Sequence, residues 1–252
     1  MAMSREDTLS KVPEVTLAFW SIKILATTLG ETGGDAVSMS LDLGYLASTG
    51  IFLVLFVAAV AAQISAKNFR PALYWATIIA STTVGTTLAD FADRSLGIGY
   101  GGGSTLLFAL LMGSLFVWYR SLGSVDVGSV HSPQSECYYW LSIMFSQTLG
   151  TALGDWTADS AGLGYTGAAV IFGGLLLVAV LAYWWTSISR TVLFWTAFIL
   201  TRPLGAMIGD FLDKPVSNGG LNLSRYSATA VLLTLIVVCI SLFPQQAARK
   251  SH

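Results

Sequence analysis

Four carboxylates recur at one register in this 252-residue chain, each at the end of an apolar stretch. Asp35, Asp90, Asp155 and Asp210 each fall 15 residues after a tryptophan: Trp20, Trp75, Trp140 and Trp195. Between the two marks runs a segment rich in threonine and glycine: Thr27-Thr28-Leu29-Gly30, Thr82-Thr83-Val84-Gly85, Gln147-Thr148-Leu149-Gly150 and Thr201-Arg202-Pro203-Leu204-Gly205. At about 100° per residue, Thr28, Thr83 and Thr148 fall on the stripe that carries the Asp. Carboxylate and hydroxyl oxygens without imidazole or thiolate suit hard cations such as Mg²⁺, Mn²⁺, Ca²⁺, Na⁺ or H⁺. His131 lies in a loop and His252 at the terminus, while Cys137 and Cys239 form no CxxC, so zinc, copper and haem lack ligands. The expected metal set is therefore Asp35, Asp90, Asp155 and Asp210.

Two charged positions break the fourfold pattern. Arg202 stands seven residues after its Trp, where the other units carry Thr27, Thr82 and Gln147. Glu31 is the lone acid at its own register, opposite Thr86, Thr151 and Ala206, and is the expected partner of Arg202. Such a fixed Arg beside acids implies a charge-balanced site, and its guanidinium also suits a small organic anion or zwitterion. Lys23, about two turns into the first motif segment, is read as snorkelling back to the near surface.

The elements that must position these groups are membrane helices. The chain is 54% hydrophobic and 11% charged, with mean hydropathy +0.68, against about 25% charged residues in soluble domains. Its net charge of −1 gives no reason to expect nucleic acid. Each unit holds two stretches near the roughly 20 residues that cross a bilayer. The motif stretches are about 16–34, 72–89, 138–154 and 191–209; the greasier second stretches are about 45–65, 104–119, 165–185 and 227–243. The first follows a polar segment with no small-residue cleavage site, so it reads as a span. Nothing alternates with period two, which favours helices over a barrel.

The fold class expected is an all-α integral membrane protein of eight transmembrane helices, one membrane domain over 1–252. Its four tandem two-helix repeats are 15–66, 70–120, 135–186 and 190–244, all parallel. They group into halves 15–120 and 135–244 across the loop 121–134. Small residues Gly30 and Gly34, Gly85 and Ala89, Gly150 and Gly154, and Gly205 and Gly209 form a ridge for close helix approach. The economical arrangement is an inner ring of four motif helices and an outer ring of four lipid-facing ones. The tryptophans read as interfacial anchors, and the pairs Gly44-Tyr45, Gly99-Tyr100 and Gly164-Tyr165 as starts of second helices. Eight basic residues on the N-terminal side (Arg5, Lys11, Lys67, Arg70, Arg120, Arg190, Arg249, Lys250) against three opposite (Arg94, Lys214, Arg225) place both termini in the cytoplasm. The far side gathers nine acids (Glu31, Asp35, Asp42, Asp90, Asp93, Asp155, Asp159, Asp210, Asp213), a mouth that concentrates cations.

Four tandem two-helix units, each opening on Trp and carrying Gly/Ala-Asp after a Thr-rich turn, resemble a bacterial family of uncharacterised membrane-anchored proteins built on a repeat of unknown function. The resemblance covers Trp20 to about Ile240. It implies an eight-helix inner-membrane architecture and transfers no activity; the fourth unit departs at Arg202, Pro203 and Gly220. With no HExxH, no GxSxG and no usable His, an enzyme is not expected. The leading expectation is a bacterial inner-membrane transporter of a hard divalent cation, Mn²⁺ or Mg²⁺, with proton exchange as an allowed coupling. Its site would comprise the four Asp residues, Glu31, Thr28, Thr83, Thr148 and Arg202. The alternatives are a small organic anion or zwitterion at Arg202, or a structural or sensory partner of another membrane protein. Expected partners are the bilayer and a small substrate, with oligomerisation allowed and no fixed cofactor beyond Mn²⁺ or Mg²⁺ as substrate.

Overall fold

The computed structural model describes residues 9–248; Arg5, Arg249, Lys250 and His252, weighed above, lie outside them. Among the described residues there are eight α-helices and no strand: α1 Leu17–Asp35, α2 Gly44–Ser65, α3 Pro71–Asp90, α4 Tyr100–Leu122, α5 Pro133–Asp155, α6 Gly164–Trp185, α7 Arg190–Asp213 and α8 Arg225–Leu242. Local chemistry sets their starts. The Thr16 hydroxyl accepts from Phe19 N–H at 3.2 Å to cap α1. Pro71 and Pro133 open α3 and α5, where a fixed φ and a missing N–H cost nothing. Ser132 and Ser135 add a capping box to α5.

In the first three units the repeat Asp ends the α-helix, and a five-residue π turn follows at 36–40, 91–95 and 156–160. Gly44, Gly99 and Gly164 then take φ of 73, 80 and 62°. That left-handed backbone strains any residue with a Cβ, which explains the glycine of each Gly-Tyr pair. The fourth unit differs: α7 stays helical to Asp213, and the loop behind it folds back so that Asn222 N–H donates to Lys214 O at 2.9 Å.

The motif helices close into a ring, α1 on α3, α3 on α5, α5 on α7 and α7 on α1. The outer helices do not rest mainly on their own partners. α2 packs on α3, α4 on α5, α6 on α7, and α8 on α1, so each unit covers the next and the last covers the first. Glycines make the ring this tight. Gly30 faces Thr82, Gly85 faces Gln147, Gly150 faces Arg202 and Gly205 faces Thr27: the glycine ten residues after each Trp receives the next unit's side chain at seven. A Cβ on Gly85 would stand 3.0 Å from Gln147, one on Gly209 2.7 Å from Glu31 Cβ, and one on Gly34 3.2 Å from Thr86. Ala89 and Gly154 complete the buried ridge, Gly154 against Met207.

The tryptophans are not interfacial anchors. Trp75, Trp140 and Trp195 are buried, and Trp20 is partly so. Each follows another aromatic (Phe19, Tyr74, Tyr139, Phe194), and the eight rings pack edge to face and tilted across the N-terminal end of the bundle. Such pairs add roughly 0.5–1.5 kcal/mol each beyond the area they bury. The Tyr74 and Tyr139 hydroxyls meet at 2.6 Å in its interior. Outside this plug, Lys11 binds Glu136 at 2.6 Å, Ala248 N–H donates to Val12 O at 2.8 Å, and Trp195 Nε1 donates to Val125 O at 3.0 Å. The loop 121–134 thus helps seal one end of the ring besides linking its halves.

Five helices (α2, α4, α6, α7 and α8) are long and apolar enough to cross a membrane. Leu46, Val54, Phe116, Val170, Val178 and Val231 are exposed on the outer four. So wide an apolar exterior fits a chain solvated by lipid rather than water. The motif helices α1, α3 and α5 miss that threshold because they carry the polar face, and the outer helices shield them.

Candidate functional site

Four layers of side chains face the ring interior, at 3, 7, 11 and 15 residues after each Trp. The outermost holds the repeat aspartates, all buried: Asp35, Asp90, Asp155 and Asp210 are 0–4% exposed. They do not form one open ring of carboxylates. Arg94 Nε lies 2.8 Å from Asp90 Oδ1, and its Nη2 lies 3.7 Å from Asp155 Oδ2. Lys214 Nζ donates to Asp35 Oδ2 and stands 3.2 Å from Asp210 Oδ1. Arg225 closes over this second group, with Nε 3.0 Å from Asp213 and 3.8 Å from Asp35. All three bases of the far side are therefore clasped to buried carboxylates, and the expected open acidic mouth is corrected to two clasped pairs, each with one cation between two repeat aspartates.

The clasps have a simple rule. Arg94 and Lys214 stand four residues after their own Asp, and each reaches the Asp of the following unit; units one and three carry Met39 and Asp159 there. The fourfold frame thus bears twofold chemistry. The signal was legible as a cation one helical turn beyond every second Asp. Burial opposes the charge of Lys214, but the Asp210, Asp35 and Asp213 carboxylates outweigh it and hold its pKa well above the usual lysine range.

One layer inward, Arg202 Nη2 donates to Glu31 Oε2 at 3.0 Å and to the Thr86 and Thr151 hydroxyls at 2.6 Å each. Arg202 is fully buried and Glu31 is 3% exposed, so the pair forecast from their registers is present. Thr28, Thr83 and Thr148 are not its ligands. Each donates to the carbonyl four residues back on its own helix, at 2.8–3.0 Å, and bonds no ring carboxylate. The hydroxyls that reach the charged groups are Thr86 and Thr151, at the Glu31 register. Lys23 does not snorkel either; it is fully buried, with Nζ 3.5 Å from Gln147 Oε1 and 4.1 Å from the Phe198 ring.

The oxygens that could share a cation are Glu31, Asp35 and Asp210, one from each, all within 4.8 Å of one another. Of the four aspartates expected to converge, Asp35 and Asp210 lie in this buried group with Glu31, while Asp90 and Asp155 meet at Arg94. Asp35 Oδ1 is buried with no hydrogen-bond partner among the described residues. A cavity of about 350 Å³, lined by Ser40, Asp213, Asn222, Arg225 and Tyr226 among others, opens on the outer side of Arg225, whose Nε lies 3.8 Å from Asp35.

A sequence profile described as a Repeat of Unknown Function (DUF347) matches residues 18–69, 73–124, 138–189 and 193–244. The chain belongs to this family. Its four DUF347 repeats begin 55, 65 and 55 residues apart, the spacing of the four tryptophans. No curated protein and no solved structure matches the chain. The family description carries no activity, so any function rests on the buried groups just described.

Proposed function

We propose that this protein is a multi-pass membrane transporter of a hard divalent cation, Mn²⁺ or Mg²⁺, bound by Glu31, Asp35 and Asp210. The observation that carries this is the buried triad of carboxylate oxygens with the Lys214 ammonium seated on two of its members. A built-in ammonium marks a place where positive charge is stabilised. A cation arriving through the cavity beside Arg225 takes over the oxygens that Lys214 holds. The charge balance supports the divalent class. In the ion pairs at this end of the ring six carboxylates (Glu31, Asp35, Asp90, Asp155, Asp210, Asp213) face four cations (Arg94, Arg202, Lys214, Arg225), which leaves two formal negative charges. Carboxylates at membrane depth cost several kcal/mol each, a cost that a bound cation offsets.

In this reading the helices α1 to α8 span the bacterial inner membrane with both termini cytoplasmic. The aromatic plug closes the cytoplasmic end, and Lys214 with Arg225 closes the outer end. Under this reading the site serves transport rather than catalysis. The test is a thermal-shift titration of detergent-purified protein with MnSO₄, MgSO₄ and ZnSO₄ at constant ionic strength. At 100 times the dissociation constant, Mn²⁺ or Mg²⁺ adds about 2.7 kcal/mol of stability. Glu31→Gln and Asp210→Asn remove that gain. Equal responses in wild type and both variants, or none in wild type, overturn the reading.

A further inference from the structure

Beneath the carboxylates lies a cluster that a cation site does not use. Lys23 is buried with no carboxylate paired to it among the described residues. Arg202 spends only Nη2, while its Nε and Nη1 are buried without partners. The Ser146 and Thr82 hydroxyls are likewise buried and unpartnered. All four ring helices contribute: Lys23 from α1, Ser81 and Thr82 from α3, Ser146 and Gln147 from α5, Arg202 from α7. Gln147 accepts from Lys23 and donates to Ser81 Oγ, both at 3.5 Å. Thr151, one turn further along α5, accepts from Arg202. The two cations therefore flank α5 roughly 6 Å apart along its axis.

Lys23 and Arg202 are both buried, and the one carboxylate bonded to either among the described residues is Glu31, on Arg202. An uncompensated buried charge is strongly unfavourable, and each buried unpaired donor adds its own desolvation cost. One bound anion answers all of these at once. We propose that Lys23, Arg202 and Gln147 form an anion site whose ligand is a small monovalent inorganic anion, with chloride as its simplest member. A compact anion suits the close helix packing here, where Gly85 lies against Gln147 and Gly150 against Arg202. The site shares no ligand with the carboxylate triad, although Arg202 also bonds Glu31; substitutions at Lys23 and Gln147, which bond no triad member, keep the two tests apart.

The experiment is equilibrium dialysis of radiochloride against protein purified in sodium gluconate, with sodium held constant so that no cation varies. Wild type binds chloride, Lys23→Met weakens binding at least tenfold, and Lys23→Arg stays within about threefold of wild type. If Lys23→Met does not fold, Gln147→Glu serves instead. It gives Lys23 a carboxylate within the chain, so chloride no longer binds or raises thermal stability, and stability in gluconate rises. Wild type that is folded yet holds no chloride, with water alone in the cluster, overturns the proposal. So does unchanged chloride binding in folded Lys23→Met or Gln147→Glu. A Mn²⁺ response that persists in either case leaves the cation reading intact.

Discussion

Arg202 is fully buried and has one carboxylate partner among the described residues. Breaking such a pair from one side leaves a buried charge, which costs about 3–5 kcal/mol, whereas replacing both partners by apolar groups is often close to neutral. Glu31→Gln should therefore lower stability in detergent by that amount, and adding Arg202→Met should recover most of the loss. Thermal unfolding of the two variants checks this. Additive losses would show that the two side chains act separately. Thr28, Thr83 and Thr148 teach the opposite lesson at this scale. Their spacing matched the aspartates, yet each hydroxyl is satisfied by its own helix. A threonine inside a helix always has that local acceptor in reach, so a stripe of hydroxyls does not by itself make a ligand set.

The ring helices depend on glycine where the outer helices do not. A Cβ on Gly85 meets backbone and side-chain atoms of Gln147 at 3.0 Å, while one on Gly113 of α4 meets nothing within 4 Å. Gly85→Ala is expected to destabilise by about 1–3 kcal/mol, the usual cost of overpacking. Gly113→Ala should stabilise by about 0.5–1 kcal/mol, because it removes glycine's entropy penalty in a helix interior. Matched unfolding curves decide this, and equal effects would refute the knob-in-groove account of the ring. The order of these elements, and the ends of α1, α2, α3, α6 and α8 to within two residues, were legible beforehand, because apolar runs and Gly-Tyr pairs are local signals; α4, α5 and α7 run three to five residues past the expected bounds at one end or both. The π turns after Asp35, Asp90 and Asp155 were not, since an i to i−5 bond leaves no composition mark.

In the whole molecule, α8 covers α1 as α2 covers α3, so the repeats form a circle with no privileged start. Its ends already touch: Pro13 pairs with Ala247 across an antiparallel bridge. A permuted chain that joins the termini with a short linker and opens at Ser187-Ile188, both exposed, should fold with a melting temperature close to that of wild type. Deleting 190–244 should abolish folding, because it removes both Arg202, the partner of Glu31, and the cover of α1. Size-exclusion profiles and circular dichroism of the two chains check this; a folded deletion chain would refute the closed circle.

The sequence by itself determined the repeat, its period, the eight helices and the pairing of Glu31 with Arg202. These follow from chain-local patterns of hydropathy and from two charges standing alone at their registers. Only the tertiary structure decided which unit each helix covers, which oxygens converge, and how the charges are balanced. Arg94 and Lys214 appeared as loop cations, yet closure of the ring brings each onto its own Asp and the next unit's. Lys23 and the tryptophans looked placed for an interface, and the same closure buries them. Register along one helix is local, but the neighbour across the ring is set by packing between units 55 or 65 residues apart, and no single repeat contains that information.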